Sequence, residues 1–168
     1  LLLGDRPIIQ ENGIIDLPNV YSVLADEEHG VAACLELLYS KGRRHPCYVN
    51  MNTTPSNLLK LRGFSHVWRE HFPGTEPRII DVARREDCDE WNTCYDAVKA
   101  MFSQPQEIDS IIFSTDQLAN AGMRALQDLG IRIPEDVAII CIGNSIYSQL
   151  CSPQMTVLNN KSPGHSIT

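Results

Sequence analysis

Residues 137–142 form an uninterrupted apolar run, with Val137, Ile139, Ile140 and Ile142 as its β-branched members. A strand with one wet face alternates apolar and polar positions, so a run without alternation suits a strand covered on both faces, as in a parallel sheet with helices on each side. A helix could carry the same run, but the β-branched content favours strand. The preceding segment supports this. Leu118, Gly122, Ala125, Leu126 and Leu129 recur at helical spacing, Gly130 followed by Ile131 suits a Schellman-type stop, and Pro134 with Asp136 marks a turn. Asp116 stands where an N-cap or first-turn carboxylate meets the free N–H groups of a helix start.

The rest of the chain repeats this rhythm. Short apolar runs at 20–25, 47–51, 79–82, 111–113 and 155–158 read as strands. Between them lie three helical stripes: Val31, Cys34, Leu35 and Leu38 behind Asp26 as cap; Leu61, Phe64, Trp68 and Phe72; and Trp91, Cys94, Tyr95, Val98 and Phe102. Gly42, Pro73-Gly74 and Pro105 stop them in turn. Strands alternating with helices predict an α/β fold, a parallel sheet flanked by helices on both faces.

Composition narrows the function classes. With 168 residues, 43% hydrophobic and 21% charged, the chain can bury one good core. No apolar run reaches the length of a membrane span, and Leu1 to Leu3 are followed by Gly4, Asp5 and Arg6, so neither a membrane segment nor a signal peptide is expected. The formal charge of -7 opposes nucleic-acid binding by this segment, and the basic turn Lys41-Gly42-Arg43-Arg44 reads as a solvated helix C-terminus. The six cysteines show no C-x-x-C pair and read as reduced thiols of a cytoplasmic protein. No phosphate-cradling glycine motif is present, so no cofactor is expected. Gly143-Asn144-Ser145-Ile146-Tyr147 begins like a nucleophile elbow, but Tyr147 replaces its second glycine. The five histidines are scattered, and the cluster Asp87, Cys88 and Asp89 has no histidine nearby, so neither hydrolysis nor a metal site is expected.

In open α/β sheets ligands lie at the carboxyl ends of the strands. That rule selects Asp26; Asn52, Thr53 and Thr54; Asp87 and Asp89; Thr115 and Asp116; and Gly143 with Asn144. Amides, hydroxyls and carboxylates of this kind suit a sugar or nucleoside. Simpler roles compete: helix capping for Asp26 and Asp116, an ordinary turn for Asn52 to Thr54, and solvated loop or cap positions for Asp87 and Asp89.

Several motifs, in order, resemble one family. Ser114-Thr115-Asp116 before an Ala- and Gly-bearing helix, then Ile131-Arg132-Ile133-Pro134-Glu135-Asp136-Val137, is similar to a pairing in the effector-binding domains of LacI/GalR-type transcription regulators. Gly42-Arg43-Arg44, Arg62-Gly63-Phe64 and the stretch from Ser152-Pro153 to Val157 also resemble that family's segments. The resemblance implies the C-terminal half of a periplasmic-binding-protein-like domain. Residues 1–25 would then end the N-terminal subdomain, with its last strand at Leu1 to Arg6, and cross over; 26–157 would form the effector-binding subdomain; and 158–168 would cross back. It further implies a small-molecule effector, DNA contacts by a helix-turn-helix upstream of this chain, no membrane partner, and a homodimer. The dimer would pack Ala119, Met123 and Leu126 with Ile146, Tyr147 and Leu150, placing Met123 near its own symmetry mate. The alternative is that these residues simply finish the core.

Two departures matter. Leu58 stands where sugar-binding members place an arginine, with Lys60 at their next arginine and counted here as a ligand contact; Gly143 stands where they place an aspartate. Loss of both grips argues against a typical pentose or hexose effector. The rivals to a regulator's sensor are a transporter's solute-binding protein of the same fold and a flavodoxin-like enzyme domain.

Overall fold

The computed structural model describes residues 6–11, 13–51, 54–82, 86, 88–105 and 107–159, together with the backbone of 166–167. In chain order these form β1 (Ile8–Glu11), β2 (Val20–Val23), α1 (Glu27–Ser40), β3 (Pro46–Asn50), α2 (Pro55–His71), β4 (Ile79–Asp81) and α3 (Glu90–Phe102). Then follow β5 (Ser110–Phe113), α4 (Asp116–Asp128), β6 (Ala138–Ile142), α5 (Ile146–Gln149), β7 (Thr156–Asn159) and β8 (Ser166–Ile167).

Strands β3 to β7 pair in parallel in the order β4-β3-β5-β6-β7, and β8, which sequence reasoning did not anticipate, closes the β7 edge antiparallel. The expected strand at 20–25 is present as β2, but it lies outside this sheet: it pairs in parallel with β1, Ile8 against Val20, in a two-stranded sheet of its own. The strand anticipated at Leu1 to Arg6 lies, but for Arg6, outside the described residues; β1 at Ile8–Glu11 was not anticipated.

Alternation along the strands builds two cores. Tyr48, Ile112, Ile140, Ile142 and Leu158 turn to the face covered by α1 and α2, where Val31, Cys34, Leu35, Phe64, Val67 and Trp68 meet them. Cys47, Val49, Ile111, Phe113, Ile139, Cys141 and Val157 turn to the opposite face, under Cys94, Val98, Leu118, Ala119 and Leu126 of α3 and α4. Each fully buried Ile, Leu or Phe contributes about 1.5–3 kcal/mol relative to exposure. The unbroken apolar run in β6 is thus explained by two dry faces.

Helix ends follow their sequence signals. At the end of α4, Ile131 N–H donates to Leu126 O (3.0 Å) and Gly130 N–H to Gln127 O (2.9 Å), the pair of bonds that defines a Schellman stop. The end of α1 repeats it, with Arg43 N–H on Leu38 O and Gly42 N–H on Tyr39 O. On the other side of the molecule, α1 and α2 touch backbone to backbone: a Cβ on Gly63 would stand 2.1 Å from the Glu28 carbonyl oxygen, so only glycine fits. At the amino edge of the sheet the Arg43 guanidinium donates to the carbonyls of Asp109, Pro134, Glu135 and Asp136, tying the α1 end to the turn before β6. Among the described residues no helix is long and apolar enough to cross a membrane.

Candidate functional site

Because β3 to β7 are parallel, the helices that return the chain all start at the carboxyl edge. Each start is closed by a side-chain oxygen: Asp26 accepts from His29 N–H, Thr54 from Asn57 N–H, Asp89 from Asn92 N–H, Thr115 from Leu118 N–H and Ser145 from Tyr147 N–H. The chain leaves β3 outward to β4 and returns past it to β5, so connections diverge on opposite faces between β3 and β5. A crevice at such a switch point is where this architecture places ligands. Its flanks are Asn50, the last residue of β3, with Met51 after it, and Ser114 and Thr115 after β5, with Ser114 N–H donating to Val49 O at 3.0 Å. The Ser114 hydroxyl is buried and has no hydrogen-bond partner among the described residues.

The sequence-selected residues fall into two groups. Asp116 is a first-turn residue, with Thr115 as the cap, and its carboxylate accepts from Ser145 N–H at 2.6 Å. That bond joins the β5–α4 corner to the β6–α5 corner, where Asn144 accepts weakly from Ser148 Oγ (3.5 Å) and Gln149 Nε2 (3.4 Å). Gly143 has φ +107, and a Cβ there would lie 3.6 Å from the Asp116 carboxyl carbon. A substituted aspartate would therefore combine left-handed strain with repulsion from Asp116, which is a physical reason for glycine at this position.

The second group surrounds Glu27, a buried acid that sequence reasoning overlooked. Glu27 Oε1 accepts from Ser56 Oγ at 2.9 Å and stands 3.7 Å from Lys60 Nζ, while Lys60 donates to Ser114 O at 3.2 Å. This network links the starts of α1 and α2, and hence Asp26 and Thr54, to the end of β5. It gives Lys60, expected as a ligand contact, two partners within the chain. The ammonium is buried and committed to Glu27 and the Ser114 carbonyl; burial lowers its pKa, with Glu27 opposing the shift. Asp89 caps α3 on the other face and joins neither group. Asn52, Thr53 and Asp87 lie outside the described residues. Also missed were Asn50 and Asp81, which end β3 and β4 in register and are joined by Asn50 Nδ2 donating to Asp81 Oδ1 at 3.1 Å. Their signal was present: each is the polar residue closing an apolar run at its carboxyl end.

The expected dimer residues divide sharply. Ala119, Met123 and Leu126 are 0%, 3% and 0% exposed and belong to the α3–α4 core. They fill the space under their own sheet. Ile146, Tyr147 and Leu150 are 58%, 41% and 78% exposed. A groove of about 520 Å³ runs between α3 and α4 to Cys151, with the stacked rings of Trp91 and Tyr95 on its wall.

The chemistry of the carboxyl edge is hydrogen bonding. Among the described residues no group of three or more His, Cys, Asp or Glu side chains could hold a metal ion. The Cys141 thiol near Asp116 is held protonated, its pKa raised by burial and by the neighbouring carboxylate.

The family profile of the periplasmic binding protein-like domain matches residues 35–162. The chain belongs to that family. A relative from Lachnoclostridium phytofermentans, an HTH-type transcriptional regulator, is 27% identical over 92% of this chain and 45% of its own length. The chain thus spans about half the length of that curated relative. Among solved structures, a LacI transcriptional regulator from a Rhodococcus species superposes with a TM-score of 0.80 at 16% identity, covering 92% of this chain and 56% of the other. A periplasmic binding protein/LacI transcriptional regulator from Alkaliphilus metalliredigens, complexed with D-xylulofuranose, gives 0.73 at 24% identity, covering 92% and 56%. The periplasmic-binding-protein-like fold expected from the sequence is therefore the fold observed.

Proposed function

We propose that this chain is the C-terminal, effector-sensing half of a LacI-type transcription regulator, a cytoplasmic non-enzyme that takes a small metabolite at the carboxyl edge of its sheet. The observation that carries the reading is the convergence at one edge of Thr115, Asp116 and Asn144 with Asp26, Thr54 and the Glu27–Lys60–Ser114 network. These groups hydrogen-bond without reactive chemistry, and the relatives are regulators. Residues 1–25 and 158–168 serve as the connections to an N-terminal subdomain that forms the other wall of the crevice. DNA contacts lie in a part of the protein beyond these 168 residues. Ligand acts by binding open and closed arrangements of the two walls with different affinity. With Lys60 committed and Gly143 bare, the carboxyl edge selects a ligand that is not a typical pentose or hexose.

Dimers form through the exposed Ile146, Tyr147 and Leu150 beside the α3–α4 groove, without Ala119, Met123 or Leu126. An isologous contact on this patch buries apolar surface that is costly to leave in water.

A metabolite screen by thermal shift on the full-length protein tests the reading. A hit is expected to raise Tm, to change operator affinity in a mobility-shift assay, and to lose its effect in Asn144→Ala while the ligand-free Tm stays within a few degrees. A hit whose amide protection maps to the amino edge of the sheet, or that binds Asn144→Ala unchanged, overturns it.

A further inference from the structure

The basic turn Lys41-Gly42-Arg43-Arg44 and the cavity beside it take no part in the sensing role. This cavity, of about 260 Å³, opens at the amino edge of the sheet, opposite the crevice, between the end of α1 and the start of β6. Leu37 and Leu38 form one wall, Ala138 and Ile140 the other, and Lys41 and Arg43 border it. By liquid volume it has room for about eight or nine waters, or an apolar body of about six to nine heavy atoms.

The two cations play different parts. Arg43 spends its N–H groups on four backbone carbonyls and so holds the turn in place, and its charge also acts on the nearby Asp136 carboxylate. Lys41 is exposed, and its ammonium has no ion pair or hydrogen bond among the described residues. Of the nearby acids, Asp136 is engaged with Arg132, and Asp109 with Arg44 N–H and Ser110 Oγ. The last carbonyls of α1, which would repel an anion, already accept from Lys41, Gly42 and Arg43 N–H. Apolar walls under the exposed Lys41 ammonium are the binding chemistry of a small amphipathic anion.

We propose that this pocket is a second small-molecule site, for short-chain or aromatic monocarboxylates, separate from the carboxyl-edge crevice. The apolar body lies between the two walls and the carboxylate meets Lys41 at the rim. This site goes beyond the sensing role and stands or falls without it.

Amide NMR titration of the protein with benzoate, and with benzyl alcohol as the neutral match, tests it. Benzoate is expected to shift the amides of Leu38, Ala138 and Ile140 with a Kd in about the millimolar range, as a ligand this small allows. Benzyl alcohol should bind at least about threefold weaker. Lys41→Gln, an exposed change that leaves the fold intact, should weaken benzoate about three- to fivefold at low salt and leave benzyl alcohol unchanged. Ala138→Ile, which fills the cavity, should abolish both. Shifts centred on Thr115, Asp116 and Asn144, equal affinity for the acid and the alcohol, or a Lys41→Gln variant that binds benzoate as before would each overturn the proposal. Should Ala138→Ile fold poorly, the Lys41→Gln comparison decides alone.

Discussion

Residues 6–24 and the layered body that follows are built from similar side chains and meet opposite fates. In β5, Ile111, Ile112 and Phe113 are all 0% exposed, because helices cover both faces of the sheet. In the β1–β2 unit Ile9 is 75% exposed, Leu17 62%, Tyr21 61% and Val23 56%, because nothing described lies over it. Two strands alone are marginal in water. A β-branched run codes for a strand, but only a covering layer turns that strand into a core.

That contrast can be broken most directly with one charge placed on each side. Met123→Asp buries an unpaired carboxylate in the α3–α4 core and is expected to cost more than about 4 kcal/mol, seen as loss of the cooperative thermal transition. Within the body, Lys60→Met strands Glu27 and should cost about 3 kcal/mol in urea titration, with Glu27→Leu in the same chain recovering part of the loss. Gly63→Ala pushes α1 from α2 and should cost about 1–3 kcal/mol, with the loss of protection confined to those helices in hydrogen exchange. On the other side, Tyr21→Asp with Val23→Asp should change stability by no more than about 0.5 kcal/mol in the same thermal measurement. A large loss of stability there would show that the β1–β2 unit belongs to the body after all.

The smallest effect concerns acid. Asp136 is held down to about 2 by Arg132, so the charged form is favoured in the folded state. Its stabilisation is full above the ordinary carboxylate range near pH 4 and fades as pH falls towards 2. The stability difference between wild type and Asp136→Asn should follow that course.

Much of the architecture was legible because it is local. The stop at Gly130, the cap at Asp26 and the stripe of Val31, Cys34, Leu35 and Leu38 are decided within a few residues, and the structure agrees with each. The candidate site was legible by position only. Strand ends pointed to Thr115, Asp116 and Asn144, but nothing near Lys60 in sequence shows that its ammonium meets Glu27, thirty-three positions earlier, and a carbonyl of Ser114. Met123 was ambiguous for a related reason. One more apolar residue on a helix face reads the same whether it seals a core or meets a partner, and the packing of α3 decides which.

The contact at Gly63 sets a mechanical condition on the whole molecule. The chain enters α1 at Asp26 directly from the β1–β2 unit, and two residues further on the Glu28 carbonyl is seated against the α2 backbone. Close-packed backbone does not compress, so a twist applied at the entry cannot be absorbed by α1 sliding over its neighbour. The two helices are held as one body, and Lys60 ties that body to the carboxyl end of β5 through the Ser114 carbonyl.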